Sequence, residues 1–424
     1  MQSSSEPSPL TAGSGPATRQ QPAAALVNLS AACWGACAFI PVGVMYLNLL
    51  LMIMALGFSA NLRQRLAQVR ASPHVLPILA MVVWTMFAAA WGPWSDDTAT
   101  RLYHVVRVAL LLLIGLMLTG AEAWNAFRGF VAGAVVAALV VAVHHVVGLP
   151  SWAIWGGLLS SRNNFSSGNM ITMATACAIL LHLGMTLQHD SPTRWVAGLA
   201  ALGLAMTVAL HAVSRNSQLL VVVLVVAVLA YRYRSPARLL ATLALVATLV
   251  AGMWTLSPTT SSRFSELSQN LQNATQKADY STSGGVRWRM YQEAVAGMSE
   301  QPIVGTGVGS WLPRWRVVWT AIEVGLPPDS KRPFAEINNP HNDFLLAGME
   351  TGVIGLVILL WLLASFVQQG WRSRAAAGGL LVVMAVSIFS TALVNAPFRD
   401  AALGMTLLWL LGAAAAANRA VTNA

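Results

Sequence analysis

Charge is what this chain has least of. Only 9% of its 424 residues are Asp, Glu, Lys or Arg, while 56% are hydrophobic; a soluble domain carries about a quarter charged residues. That shortage excludes a soluble enzyme hung on a membrane anchor. Lysine is nearly absent: Lys277 and Lys331 are the two, and the rest of the 25 basic residues are arginine. Cysteine is scarce as well. Cys33, Cys37 and Cys177 lie in apolar runs and read as buried small side chains, so no disulfide framework is implied. Cys33 and Cys37 stand one helical turn apart with no further ligand nearby, which argues against a zinc site. No Walker loop, dinucleotide fingerprint, Ser-His-Asp elbow or zinc spacing occurs. The alternation of barrel strands is missing too, so the apolar runs cross a membrane as helices. The net charge of +10 does not point to nucleic acid, because the arginines sit mostly at helix ends, where orientation signals belong.

What is present is a series of apolar runs, each close to the ~20 residues that a bilayer core requires. About twelve are expected, at roughly 23–40, 43–60, 75–92, 103–119, 128–147, 168–187, 195–212, 217–231, 239–256, 343–367, 377–395 and 400–417. The first two divide at Pro41-Val42-Gly43. The expected organisation is a disordered cytoplasmic tail over 1–22, a transmembrane bundle of about nine helices over 23–256, a polar loop over 257–342, further transmembrane helices over 343–417 and a short cytoplasmic tail over 418–424. Arg63, Arg65, Arg70, Arg128, Arg194, Arg232, Arg234, Arg238, Arg372, Arg374 and Arg419 fall on one set of loops, and the opposite set is poorer. That bias puts both termini inside and the large loop outside, in the periplasm of a bacterial cell. The fold class is an all-α polytopic membrane protein with one large periplasmic loop containing short helices.

The loop concentrates the chemistry. Residues 287–298 read as an amphipathic helix with Trp288, Tyr291, Ala294, Val295 and Met298 on one face, and 267–279 as a short helix or a disordered stretch. Gly305, Gly307 and Gly309 form a turn that lets backbone pack closely. Trp311, Trp315 and Trp319 recur at helical spacing, which suggests a helix lying at the lipid interface. Arg215, held tightly between two apolar spans, is either a snorkelling interfacial arginine or a phosphate ligand. Arg162 and Asn164 stand in a similar Ser-Arg-Asn stretch on the same predicted face. Arg287 and Arg289 point in different directions, so one of them aims at a site; arginine forks bind diphosphate well, and a solvated helix end is the alternative. His341 is a structural histidine, a general base or a phosphate donor. Asn338, Asn339, Asn342 and Asp343 crowd around it, and Asp343 either orients the imidazole or caps the helix that follows. Asp96 and Asp97 read as acids at a helix start in preference to a metal pair. His144, His145, His182 and His211 have no matching acidic partners, and no metal site is apparent.

The order of these motifs resembles the O-antigen ligase and polymerase superfamily. The likeness rests on Ser214-Arg215, Arg287 four residues before Tyr291, Gln301-Pro302-Ile303-Val304-Gly305-Thr306-Gly307, His341-Asn342-Asp343-Phe344-Leu345 and Glu350-Thr351-Gly352-Val353-Ile354-Gly355. It covers roughly Asn163 to the last spans. The family commonly has tryptophan where this chain has Tyr291. The resemblance implies a GT-C-like glycosyltransferase that moves a glycan from undecaprenyl diphosphate to an acceptor on the periplasmic face of the inner membrane. It implies that Arg215 and Arg287, with Arg289 as competitor, bind the diphosphate, that His341 is essential, and that Asn164, Asn339, Asn342 and Asp343 support the site. Ligation to lipid A–core is the expected reaction, inverting and without cofactor or metal. Polymerisation of O-antigen and transfer to protein hydroxyls are the alternatives within the family. A lipid-linked glycan transporter and a non-enzymatic envelope scaffold are the alternatives outside it. The expected partners are the lipid-linked donor, the lipid A–core acceptor and membrane lipid, with no nucleic acid.

Overall fold

The computed structural model describes residues 21–150, 159–161, 164–165, 167–212, 214–256, 258–280, 282–325 and 334–422. The N-terminal tail, Arg162, Lys331 and Arg332 lie outside the described residues. Asn164 is described in its backbone alone.

The chain runs through α1 (Gln21–Ala36), α2 (Val42–Gly57), α3 (Leu62–Arg70), α4 (Val75–Ala88), α5 (Asp96–Leu116) and α6 (Gly120–Val147). A short antiparallel pair follows, β1 (Leu159–Ser161) with β2 (Asn164–Phe165). Then come α7 (Ser167–Thr186), α8 (Pro192–His211), α9 (Arg215–Tyr233), α10 (Pro236–Leu256), α11 (Pro258–Gln276), α12 (Ser283–Glu300), α13 (Trp311–Val324), α14 (Asp343–Arg372), α15 (Ala376–Ala392) and α16 (Ala402–Thr422). Eight helices among the described residues are long and apolar enough to cross a membrane, and α2 with α3 adds a ninth as a pair bent by 105°. The protein is an all-α, multi-pass membrane protein. Among the described residues, length and apolarity give eight or nine spans where twelve were expected: α4 and α15, at 14 and 17 residues, fall short of a full crossing, and α10 is not among those counted.

Local sequence sets the helix ends. Ser95 and Thr98 form a capping box at α5, whose first turn carries Asp96 and Asp97, and Thr119 with Glu122 forms another at α6. Pro192 opens α8, and Gly148 in the left-handed region closes α6. The helices α15 and α16 are rich in Ala and Gly and buried nearly all round. Small side chains let neighbouring backbones approach, which is how helices associate without a hydrophobic drive in lipid. The outer helices instead expose apolar residues such as Leu47, Leu139 and Leu199.

Arginines seal one end of the bundle. Arg65 pairs with Glu122 at 2.6 Å and donates to the Met117 carbonyl at 2.9 Å. Arg419 donates to the Leu116 carbonyl at 3.0 Å. These groups satisfy carbonyls left open at the end of α5.

Several expectations are corrected. Cys33 is exposed, while Cys37 and Cys177 are buried. The stretch 267–279 belongs largely to α11. On α12 the buried residues are Gly285, Val286, Met290, Glu293, Ala294 and Gly297, and Val295 is half exposed. Trp311, Trp315 and Trp319 do not lie at a lipid interface. They are fully buried in a row, Trp311 stacked on Trp315 and Trp315 tilted against Trp319, with centroids 5.6 and 5.8 Å apart, against Val286, Met290, Leu346 and Met349.

Candidate active site

The opposite end of the bundle gathers the residues singled out above. Arg215 is the first residue of α9, preceded by Ser214 in extended conformation. Its Nη2 lies 3.4 Å from Glu266 Oε2 on α11, and both side chains are partly exposed to solvent. Such a contact is weak and exchangeable.

Arg287 and Arg289 sit on α12 with different partners. Arg289 Nη2 is 3.0 Å from Glu293 Oε2, and Arg314 of α13 binds the other oxygen of the same carboxylate. Arg287 has no carboxylate within ion-pair distance among the described residues. It lies instead beside Tyr291 and His341. Burial raises the pKa of the Tyr291 hydroxyl, and the Arg287 charge opposes that rise.

His341 occupies the left-handed region, with φ of 54°. A non-glycine residue there is strained by roughly 1–3 kcal/mol and persists only where its surroundings fix it. Its backbone N–H donates to Asn339 Oδ1 at 2.9 Å, and its ring is hydrogen-bonded to Asn395. Burial and then the charge of Arg287 push its pKa down from 6.5 to about 4, against the Asn395 bond, which raises it. The imidazole is therefore neutral at pH 7.

The neighbours of His341 take other roles than those expected. Asn342 caps α14, its Oδ1 accepting from the N–H groups of Phe344 and Leu345 at 3.0 and 2.9 Å. Its Nδ2 donates to the Leu393 carbonyl at 2.9 Å. Asp343 neither orients the imidazole nor caps the helix: it is buried, and its Oδ2 accepts from the Phe398 N–H at 3.0 Å. Both bonds tie the histidine segment to the turn between α15 and α16.

An apolar slot of about 140 Å³ opens between α7, α9 and α15, lined by Ile171, Asn216, Leu219, Leu220, Thr391 and Val394 among others. Asn216 follows Arg215, and Val394 precedes Asn395. The slot's lining is thus adjacent in the chain to both Arg215 and the residue that bonds His341.

The glycine-rich turn is a clamp. Thr306 and Gly307 donate their N–H groups to the carbonyls of Met349 and Glu350, and the Val353 N–H donates to the Pro302 carbonyl. These bonds enter α14 where it breaks, at Gly352 with φ of 67° and ψ of −172°. A Cβ on Gly352 would lie 2.1 Å from the Ile303 carbonyl oxygen, and one on Gly307 2.3 Å from the Gly92 Cα. Only glycine permits this crossing.

The sequence reading missed Asn395, Arg101 and Arg399. Arg101 had a signal: a buried cation four residues after Asp97 in an apolar helix requires partners. Asn395 had none.

A family model described as O-antigen ligase matches residues 198–360. The match spans less than half of the chain and encloses Arg215, Arg287 and His341. No curated protein matches the chain. From α8 into α14, then, the likeness read from the motifs is a match to the O-antigen ligase family's own domain.

Proposed function

We propose that the protein is an O-antigen ligase that transfers the glycan of an undecaprenyl-diphosphate-linked donor to lipid A–core on the periplasmic face of the bacterial inner membrane. The observation that carries this reading is that Arg287 and His341, from separate stretches of chain, are neighbours, while Arg215 opens the helix that lines an apolar slot whose other wall runs up to Asn395, the partner of His341. An amphiphile with a diphosphate head and a prenyl tail matches that pairing of cations and slot.

Arg215 and Arg287 bind the diphosphate. The donor's anomeric carbon already carries its leaving group, so catalysis consists of stabilising the departing charge and placing the acceptor. Arginine forks do the first, with a gain of ~3 kcal/mol for one such contact. Glu266 holds Arg215 until the diphosphate displaces it. His341, neutral before the donor arrives, takes the acceptor's hydroxyl proton as that oxygen attacks the anomeric carbon. The bond from that carbon to the phosphate oxygen breaks, undecaprenyl diphosphate leaves, and the configuration inverts. The slot between α7, α9 and α15 takes the first prenyl units. Asn395 orients the imidazole, Asn339 and Asn342 shape its loop, and Asp343 anchors the start of α14.

The test is transfer by purified protein in detergent, with undecaprenyl-diphosphate glycan, lipid A–core and EDTA. A glycan ladder on lipid A–core that His341→Ala cuts to a small residual rate is expected. Longer chains on the carrier, with none on lipid A–core, would make the protein a polymerase and overturn the reading.

A further inference from the structure

The segment that carries His341 is held from outside the matched domain. The Asn338 carbonyl, three residues before the histidine, accepts from Arg101 Nη2 of α5 and from Arg399 Nη1 at 2.6 Å. Both guanidinia are buried, with 4% and 8% of their side-chain surface exposed. Arg101 Nε lies 3.3 Å from Asp97 Oδ2 and 3.1 Å from Glu350 Oε1. Arg399 Nη2 lies 3.9 Å from Asp97 Oδ1. Glu350 Oε1 also accepts from the Gly309 N–H at 3.2 Å. The charges compensate one another, as buried charges must.

We propose that Arg101 is a positioning residue for His341: gripped by Asp97 and Glu350, its guanidinium fixes the Asn338 carbonyl and so the strained backbone that presents the imidazole. This rests on the reading of His341 as essential.

The geometry requires arginine. Nε faces both carboxylates while the terminal nitrogen Nη2 reaches the carbonyl. An ammonium is a point charge and cannot span both. Packing does not substitute for these bonds. A cavity of about 110 Å³ is lined by Arg101 together with His104, Val105, Leu346 and Phe398 among others, so the packing around this arginine is not close on every side. The same knot explains two motifs together. Glu350 receives the glycine-rich turn through Gly309 and grips Arg101, so the turn, the α14 break and the histidine loop form one connected unit.

Arg101→Lys tests this. It retains the charge that Asp97 and Glu350 need but loses the bond to Asn338. The expected result is a fall in kcat of about 10²-fold, the order that a ~1 Å misplacement costs, with the donor KM within about twofold. In a His341→Ala background the same substitution should change the residual rate no further, because a residue acting through the histidine has nothing left to act on. A purely structural role would lower that residual rate as well and would overturn the proposal. So would full kcat in Arg101→Lys while His341→Ala is reduced to its residual rate. If His341→Ala itself keeps full kcat, the functional reading fails instead. Should Arg101→Lys not fold by size exclusion, the pair Arg101→Gln with Glu350→Gln removes one charge of each sign, and the same kinetic comparison decides.

Discussion

The imidazole of His341 and the guanidinium of Arg287 are neighbours across two chain segments, and with burial as the larger cause that proximity keeps the histidine neutral, its pKa pushed down to about 4. The pH dependence follows. The acid limb of kcat/KM, which reports the free enzyme, should fall near pH 4; a limb at the ordinary 6.5 would refute the geometry. Stability moves in the same window. A histidine whose folded pKa is depressed contributes stability that is complete above its unfolded pKa of 6.5 and is lost as pH falls from there toward 4, since the unfolded chain binds the proton first. Thermal melts from pH 7.5 to 4 should show that loss in the wild type and less of it in His341→Ala.

Three arginines should behave unequally. Arg215→Ala and Arg287→Ala should each slow glycan transfer by about 10²-fold, the usual cost of removing one contact to a developing charge. Arg289→Ala should change it by less than about threefold, because Arg289 is bound to Glu293, which keeps Arg314 as a partner. Equal losses at Arg287 and Arg289 would show that α12 turns when the donor binds.

Glu266 competes with the donor. Its carboxylate is 3.4 Å from Arg215 and largely exposed, so removing its charge should free the arginine at little cost to the fold. Glu266→Gln should tighten donor binding by about two- to fivefold at low salt, an effect that shrinks as salt screens the pair. Weaker binding in this variant would mean that Glu266 orients Arg215.

The break in α14 should tolerate no side chain. Gly352→Ala places a Cβ 2.1 Å from the Ile303 carbonyl oxygen in a backbone region that only glycine adopts readily. A loss of at least ~1–3 kcal/mol is expected, read as a lower melting temperature in detergent. Unchanged melting would show that the turn and α14 separate freely.

Much of this arrangement was legible along the chain. The first helices divide at Pro41, as proline and its neighbours dictate, and Asp96 and Asp97 in the first turn of α5 mark its start. The Trp311, Trp315 and Trp319 stripe was legible as one apolar face. Its surroundings were not, because four-residue spacing says which side of a helix is apolar and leaves open whether lipid or protein covers it. Here α12 and α14 cover it, and Trp311 and Trp315 donate to the Ile337 and Phe334 carbonyls at 2.9 and 2.8 Å. Asp343 was misread for a similar reason. Either role assigned to it was local, whereas its bond runs to Phe398, 55 residues away.

The sequence by itself determined the class of molecule, since transfer into lipid is close to a sum over side chains and needs no knowledge of the fold. It also determined where the cations, the histidine and the glycines stand in the chain. The tertiary structure decided which of these groups are free and which are spent. Arg289 is bound to Glu293 while Arg287 faces His341, and Arg101 reaches past its own helix to the Asn338 carbonyl. Burial, pairing and a shifted pKa are set by neighbours within a few ångströms, and those neighbours come from segments far apart in the chain.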